Sequence, residues 1–305
     1  MALRLLSATI VGPRKLVWHD RNHGLPAARV SPASSFSPSS LSLSLSLSRV
    51  RVRIGSVKCQ AVGESSQNSF GRVVYQGAYG PWSVEPSDVR EVILYRSGLV
   101  TAAVSFVVAA STAFLPEGSS LRDIIKQNLD LFYTLGASGL GLSLFLIHIY
   151  VTEIKRTLQA LWALGVVGSF ATYASLAQPA GMNLVQFVVD NPTCVWFVGP
   201  LFAALTGLVF KEGLCYGKLE AGLLALIIPS ILLGHLTGVM DSGVELTLLG
   251  LWIVLFGVFA GRKFTQPIKD DIGDKSVFMF NALPDEEKKA LIEKLKQQKF
   301  SQNLD

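Results

Sequence analysis

Six apolar runs follow one another between residues 97 and 261, each long enough to cross a bilayer as an α-helix. Crossing roughly 30 Å of hydrocarbon takes about 20 helical residues. Charged residues are scarce in these runs, and Glu245 lies near one end of the sixth. Because a charge at mid-bilayer costs at least about 2.5–3.5 kcal/mol, the pattern indicates lipid around the chain. It predicts an all-α, polytopic membrane helical bundle of about six transmembrane helices, at residues 97–115, 129–151, 157–177, 193–211, 219–240 and 242–261.

The composition agrees with this pattern. Hydrophobic residues make up 50% of the chain and charged residues 16%, whereas a soluble domain carries about 25% charged residues. The formal net charge is +5, but the basic residues form no long tract interleaved with aromatic side chains. The lipid bilayer is therefore an expected partner, and nucleic acid is not.

Residues 1–59 differ in composition from the rest of the chain. They are rich in serine and arginine, contain a serine tract from Ser31 to Ser48, and include Asp20 as their one acidic residue. This composition is typical of an organelle transit peptide. A mitochondrial leader is the alternative, because residues 1–16 can form a basic helix. The serine tract favours the chloroplast, as does segment 57–61, which is similar to stromal processing sites.

Lysine and arginine are unequally distributed between the connections, and this predicts the orientation of the spans. One side carries both ends of the bundle and most of the basic residues: Arg90, Arg96, Lys155, Arg156, Lys211, Lys218, Arg262, Lys263, Lys269 and Lys275. The opposite side carries Arg122 and Lys126. By the positive-inside rule, both termini are expected in the stroma.

The segment before the first span, residues 60–96, is predicted to lie in the stroma beside the membrane. Glycine and proline break its first part, so Tyr75, Tyr79 and Trp82 are expected in a loop, and a helix follows with Ser87 as its N-cap. The aromatic rings either lie at headgroup level or form a docking loop for a partner protein.

The segment after the last span, residues 262–305, is predicted to be a stromal tail with a short helix. Pro284 lies in the first turn of that helix, acidic residues follow, and lysines come later, which complements the helix dipole.

The connection between the fourth and fifth runs, residues 210–222, is the most polar one within the bundle. Its charged side chains form either ion pairs or a docking surface for a partner, and a plain helical-hairpin turn at Gly213 and Gly217 is the competing interpretation. The charged residues are Lys211, Glu212, Lys218 and Glu220.

Two histidines follow the leader, His148 in the second run and His235 in the fifth. Their predicted depths differ by roughly 15–20 Å at about 1.5 Å per residue, so they cannot share one metal or haem iron. Each is a weak candidate for axial ligation of a chlorophyll or haem, and each is more simply a hydrogen-bonded core residue. No metal site and no cofactor are expected.

His235 has acidic neighbours in the sequence. Asp241 and Glu245 follow it where the fifth run turns into the sixth. Such a group either relays protons or holds a cation, because intramembrane ionisable residues are costly to retain. Alternatively, the two acids stand in the headgroup zone. Ser138, in a Gly-Ala-Ser-Gly motif, together with His235 resembles the catalytic pair of rhomboid proteases, but their helices run in opposite directions here.

Four stretches resemble a family of integral membrane proteins of unknown function that is found in cyanobacteria and plant chloroplasts. They are VYQGAYGPW, DVREVILYRSGLV, FKEGLCYGKLEAG and LLGHLTGVM, and the resemblance covers about residues 72–264. It implies a plastid membrane, the thylakoid in preference to the inner envelope. It carries over no catalytic residue.

These observations lead to three functional hypotheses. The first is a non-enzymatic protein that assists the assembly or stability of a photosynthetic complex, with other thylakoid or envelope membrane proteins as partners. The second is a transporter or channel for a small solute or ion, which rests on the His235 group and on Pro200 and Pro229 within the spans. The third is an intramembrane enzyme.

Overall fold

A computed structural model describes residues 66–67 and 73–302, and six of the helices within them are long and apolar enough to cross a membrane. They are α1 (Pro86–Ser111), α3 (Leu129–Leu146), α4 (Thr152–Thr172), α6 (Val195–Tyr216), α7 (Leu219–Thr237) and α8 (Ser242–Arg262). Their number and order confirm the predicted polytopic helical bundle. The predicted transit peptide, residues 1–59, lies outside the described residues.

Shorter elements connect and flank these helices. A π-helical turn (Tyr173–Ala177) continues α4, and a 3₁₀ turn (Pro192–Cys194) precedes α6. The short helices are α2 (Ser120–Gln127), α5 (Leu184–Asp190), α9 (Ile268–Ile272) and α10 (Lys275–Asn281), and a longer helix, α11 (Asp285–Gln302), follows them. Strands β1 (Ser66–Gln67), β2 (Val73–Gln76) and β3 (Pro81–Ser83) form an antiparallel sheet in that order.

The helix predicted from Ser87 and the first predicted span form one continuous helix. α1 runs from Pro86 to Ser111, and its N-cap is Glu85 instead of the predicted Ser87. Pro86 takes the first helical position, where a missing N–H leaves no hydrogen bond unmade. Glu85 and Asp88 form a reciprocal capping box, in which the Glu85 backbone N–H donates to Asp88 Oδ2 at 2.8 Å. The apolar run begins later, at residue 97, because the first turns of α1 are polar.

The second span ends earlier than predicted, because α3 stops at Leu146 instead of residue 151. In the connection that follows, the Tyr150 hydroxyl accepts a hydrogen bond from the backbone N–H of Asp274 at 2.5 Å. His148 lies in the same connection, 3.5 Å from Glu91 of α1. Contacts with residues distant in sequence thus hold this connection outside a helix, which hydropathy along the chain does not reveal.

Glycines allow two pairs of helices to approach closely. A Cβ added at Gly139 of α3 would come within 2.5 Å of Gly98 O in α1, and one at Gly165 of α4 would collide with the Leu201 backbone in α6. Close packing drives helix association in lipid, so small residues belong at such contacts. Gly257 of α8, by contrast, has open space where a Cβ would lie.

The outer faces of the bundle are apolar. Val167, Phe170 and Trp196 are between 66% and 71% exposed, and other large apolar side chains are exposed along the same helices. In water, apolar patches of this extent are rare on a monomer. The faces fit helices that stand in hydrocarbon.

The segments on either side of the bundle fold together at one end of it. Residues 73–85 form a hairpin in which Tyr75 pairs with Trp82, and residues 263–281 carry α9 and α10. We call these two segments the cap, and the end of the bundle against which they pack the capped face. A small apolar cluster joins the cap to α1: Trp82, Val92 and Ile272.

The hairpin replaces the loop that the sequence predicts for residues 75–82. The backbone N–H of Ala78 donates to Asp274 Oδ2 at 2.6 Å, and that of Tyr79 donates to Ser276 Oγ at 3.1 Å. The Tyr79 ring stacks on Phe280 at a centroid distance of 3.9 Å. The prediction failed because α10, which holds the hairpin, lies almost 200 residues further along the chain. α11 supplies the helix predicted for the tail.

Candidate functional sites: a buried charge network and a histidine–glutamate pair

A group of buried charges lies where the cap meets the bundle. Glu212 of α6 has no exposed surface, and its Oε2 lies 2.8 Å from Nζ of Lys263, just beyond α8. The same Nζ lies 2.6 Å from Oδ1 of Asp271 in α9, whose side chain is also buried. One lysine therefore joins a carboxylate of the bundle to a carboxylate of the cap.

Further cations surround these three residues. Nζ of Lys218 lies 3.2 Å from Glu212 Oε2, and Nζ of Lys211 lies 3.5 Å from Glu212 Oε1. Arg96 of α1 donates from Nε to Asp271 Oδ2 at 2.6 Å. We call the whole group the charge network; its members are Arg96, Lys211, Glu212, Lys218, Lys263 and Asp271.

Neutral side chains complete the surroundings of these charges. The Tyr95 hydroxyl donates to Glu212 Oε1 at 3.3 Å, and the Gln266 amide donates to Asp271 Oδ1 at 3.2 Å. The Lys263 ammonium also lies 5.3 Å from the centroid of the Tyr95 ring, within reach of a cation–π interaction. Each buried charge therefore has the partners that burial requires.

The charge network specifies how the cap sits on the bundle. Buried ion pairs often add little net stability, because desolvation offsets the attraction between the charges. Removing one partner is different and costs about 3–5 kcal/mol, because an uncompensated buried charge is left behind. The network therefore opposes any rearrangement of the capped face that separates Lys263 from Glu212 and Asp271.

The polar connection between the fourth and fifth spans is shorter than the sequence suggests. α6 continues to Tyr216, so that Lys211 and Glu212 are helical, and Gly217 ends the helix in the left-handed conformation at a φ of 61°. The predicted tight turn is therefore reduced to Gly217 and Lys218, between α6 and α7.

The charged side chains of this connection form ion pairs. Glu212 is buried in the charge network, and Glu220 is buried and lies 3.0 Å from Nε of Arg262. Both carboxylates are buried within the fold. Lys211 and Lys218 are half-buried beside them.

The aromatic residues predicted for docking are also part of the fold. Trp82 is buried under the cap, with its ring centroid 4.9 Å from that of Tyr75. Tyr75 and Tyr79 are half-buried. The accessible parts of these two tyrosine rings lie at the capped face, where a partner could contact them.

Lys275 ties the cap to the start of α1. Its Nζ lies 2.8 Å from Asp88 Oδ2 and 3.4 Å from Glu85 Oε2. Burial lowers the pKa of this ammonium, but the hydrogen bonds and charges of the two carboxylates outweigh burial, so the pKa lies above its usual value. Lys275 therefore stays charged at physiological pH.

His148 lies at the capped face, between the bundle and the cap. Its Nε2 lies 3.5 Å from Glu91 Oε2, and its ring meets Phe278 of α10 edge-on at 5.8 Å. Burial lowers the pKa of the imidazole; Glu91 opposes this effect, while Lys211 and Lys155 add to it. The net shift is downward, so His148 is neutral at pH 7.

His235 lies at the other end of the bundle, in the last turn of α7. Its Nδ1 lies 2.9 Å from Glu245 Oε1 in α8, and its Nε2 lies 3.3 Å from the carbonyl oxygen of Val188 in α5. Asp241 does not join this pair. Its Oδ1 accepts hydrogen bonds from the backbone N–H groups of the first turn of α8, as an N-cap.

The segment that carries Glu212, His235 and Glu245 is also the one that is similar to a known protein family. Residues 142–280 match DUF2301, an uncharacterized integral membrane protein family. The match confirms the resemblance to an integral membrane family of unknown function. The protein is an integral, multi-pass membrane protein with about six spans. No curated protein and no solved structure matches the chain.

The DUF2301 match begins within α3 and ends in α10. It therefore contains every residue of the charge network except Arg96, together with the whole His235–Glu245 pair. The hairpin of residues 73–85 and the first span lie outside it.

The structure separates the residues of the other predicted chemistries. Ser138 and His235 line different cavities, and the ring nitrogens of His235 face Glu245 Oε1 and Val188 O. His148 and His235 lie at opposite ends of the bundle. Among the described residues, no group of three or more His, Cys, Asp or Glu side chains is arranged to hold a metal ion.

Sequence reasoning missed the roles of Lys263, Asp271 and Arg96. Lys263 and Arg96 entered only as basic residues that orient the spans, and Asp271 not at all. One signal was present: two consecutive acids, Asp270 and Asp271, stand in a segment that is otherwise basic next to the membrane. Acids at such a position indicate a structural partner for the nearby cations.

Proposed function

We propose that this protein acts in a chloroplast membrane, in the thylakoid in preference to the inner envelope, as a non-enzymatic factor for the assembly or stability of a photosynthetic complex. The location is supported by the serine- and arginine-rich leader over residues 1–59 and by the family resemblance. With the basic connections inside, both termini and the capped face lie in the stroma.

One observation carries the assembly role, namely the way in which the charge network holds the cap on α1, α6 and α8. Opening the capped face would separate Glu212 of α6 from Lys263, which lies 2.8 Å away, and Arg96 of α1 from Asp271, which lies 2.6 Å away. A transporter that works by alternating access must open each end of its bundle in turn. A face that is held shut suits a protein that presents a constant surface to a partner.

The half-buried residues of that face are the proposed docking surface. Tyr75 and Tyr79 come from the hairpin, and Lys211 and Lys218 come from the neighbouring end of α6 and its turn. Aromatic rings and lysines on the same face favour a membrane-protein partner whose stromal segment is acidic and partly apolar.

A native gel of thylakoid membranes tests this proposal. A tagged copy is expected to co-migrate with one photosynthetic complex or its assembly intermediate, and a null mutant is expected to accumulate less of that complex. A null mutant with normal amounts of every photosynthetic complex would reject the assembly role.

Transport of a proton or small solute is the second candidate, and the His235–Glu245 pair favours it. The pair lines a cavity of the bundle, and Pro200 and Pro229 lie within two of the surrounding helices. Replacing His235 with Ala separates the two roles. Loss of flux across the membrane with normal complex levels would favour transport over assembly.

A further inference from the structure

Two adjoining cavities lie inside the half of the bundle away from the cap. Their volumes are about 400 and 290 Å³. They lie side by side, because both are lined by Ala113, Tyr133, Val185, Val189, Phe202, Ile231, Leu232 and Leu249. Ligand sites commonly enclose about 300–1,000 Å³, so the space is large enough for an organic molecule.

The lining of this space selects the chemistry of a ligand. Most of it is aliphatic, but the rings of Tyr133, Phe202 and Trp252 also face it, and these suit a flat conjugated ring. The polar residues at one end are His235, Ser242 and Glu245. Such a site fits a molecule with an apolar body and one polar end.

The contacts of His235 provide a hydrogen-bond donor at that polar end. A carbonyl oxygen only accepts, so Nε2 donates where it faces Val188 O at 3.3 Å. The other ring nitrogen, Nδ1, lies 2.9 Å from Glu245 Oε1. An imidazole held in this way can offer its Nε2–H to an oxygen of a ligand.

We propose that this cavity binds a neutral, lipid-soluble molecule of the quinone class, with a ring carbonyl directed at His235. An ionic ligand would bring a charge into a mostly aliphatic cavity, which is unfavourable. A ligand carbonyl can take the Nε2–H from Val188 O, because that contact of 3.3 Å is longer than the usual value of about 2.9–3.0 Å.

The same contact connects the ligand site to α5. Val188 lies on α5, and Val185 and Val189 of that helix form part of the cavity wall. A ligand that replaces Val188 O releases one of the polar contacts that hold α5 in place. A second contact stays intact, in which Asp130 Oδ1 accepts from the Leu184 backbone N–H at 2.7 Å. This inference does not depend on the assembly role.

Titration of the purified full chain in lipid nanodiscs with decylubiquinone tests the site. Trp252 lines the cavity, so saturable quenching of tryptophan fluorescence is expected. Decylbenzene, which lacks carbonyl groups, should compete at least about tenfold less well, the value of one hydrogen bond. Quenching that does not saturate, or equal competition by decylbenzene, would overturn the proposal.

Variants locate the binding. Ile231→Phe and Val189→Phe fill the cavity from α7 and α5 and should abolish saturable quenching. Val189 is 55% exposed, so its variant should fold even if Ile231→Phe does not. Leu226→Phe is the matched control, because Leu226 also belongs to α7 but is 67% exposed on the outside. Full binding by Val189→Phe, or loss of binding by Leu226→Phe, would contradict the assignment.

A final variant tests the polar end. His235→Leu should weaken decylubiquinone binding about tenfold and remove the preference over decylbenzene. Asp241→Asn is its control and should bind normally, because Asp241 caps α8 and does not line the cavity. An unchanged preference in His235→Leu would refute the role of the imidazole.

Discussion

Nζ of Lys263 lies 2.8 Å from Oε2 of Glu212, and this buried contact joins the end of the sixth span to the fourth. The same ammonium reaches Asp271 in the cap at 2.6 Å. A lysine that hydropathy places at a membrane boundary is thus an interior residue with 1% of its surface exposed. The arrangement of the capped face depends on it.

Lys263→Met should destabilise the protein by about 3–5 kcal/mol, because Glu212 and Asp271 lose a shared cation while they remain buried. Unfolding of the purified protein in detergent by heat or denaturant measures the effect. Lys288→Met is the matched control, since Lys288 meets Asp285 in an exposed pair at 3.4 Å. The control should change stability by no more than about 0.5 kcal/mol. Equal effects of both variants would show that the burial of Glu212 and Asp271 does not make the loss of Lys263 costly.

Asp274→Ala should loosen the cap. This carboxylate accepts from the Ala78 backbone N–H and from the Ser276 hydroxyl, each at 2.6 Å, and so joins the hairpin to α10. Loss of these hydrogen bonds should speed hydrogen exchange and proteolysis in residues 73–85 and 268–281, while the six spans stay protected. Asp285→Ala in the first turn of α11 should leave the cap unchanged. Normal protection of the hairpin in Asp274→Ala would contradict its role.

Gly139→Ala should destabilise the contact between α1 and α3 by about 1–3 kcal/mol, because the added Cβ would come within 2.5 Å of Gly98 O. Gly257→Ala is the control at a site with open space. It should be neutral or stabilising by about 0.5–1 kcal/mol, since alanine is the better helix former. Thermal unfolding of the two variants side by side decides between packing and helix propensity.

Acidification should weaken the capped face through His148. The folded-state pKa of this histidine lies below its usual value of 6.5, so the unfolded chain binds a proton first as the pH falls. Above pH 6.5 the contribution of His148 to the free energy of unfolding therefore does not change with pH. Below pH 6.5 the free energy of unfolding decreases until the pH has passed the folded-state pKa. His148→Gln should reduce this loss when unfolding is compared at neutral and mildly acidic pH. An identical pH dependence in the variant would assign the loss to other groups.

Two substitutions of Asp241 distinguish between its possible roles as an ion ligand and as a helix cap. Asp241→Asn keeps the side-chain oxygen that accepts from the Gly243 and Val244 N–H groups and should leave stability unchanged. Asp241→Ala should cost about 1 kcal/mol. If Asp241 instead served a cation together with His235 and Glu245, the asparagine variant would impair ion binding or flux as strongly as alanine does.

Local rules of the sequence were enough to predict the spans. The lengths of the six apolar runs gave the number of helices, and the boundaries of α7 and α8 came within three residues of the prediction. At the capped face, the N-cap of α1 lies two residues before the predicted Ser87, whereas α3 ends five residues before the predicted residue 151. Asp88 and Tyr150, near those ends, bond to Lys275 and Asp274 far along the chain, and no local pattern contains such contacts.

The sequence by itself determined that this chain is a bundle of membrane-spanning helices, because the cost of burying charge in lipid depends only on which residues follow one another. It also suggested that His235 and Glu245 belong together, because one short turn separates their helices. Only the tertiary structure decided that Glu212 is an interior residue, that the hairpin and α10 form one cap, and that Val188 meets His235. Each of these depends on pairs of residues brought together by packing, and hydrophobicity read along the chain does not encode which helix faces which.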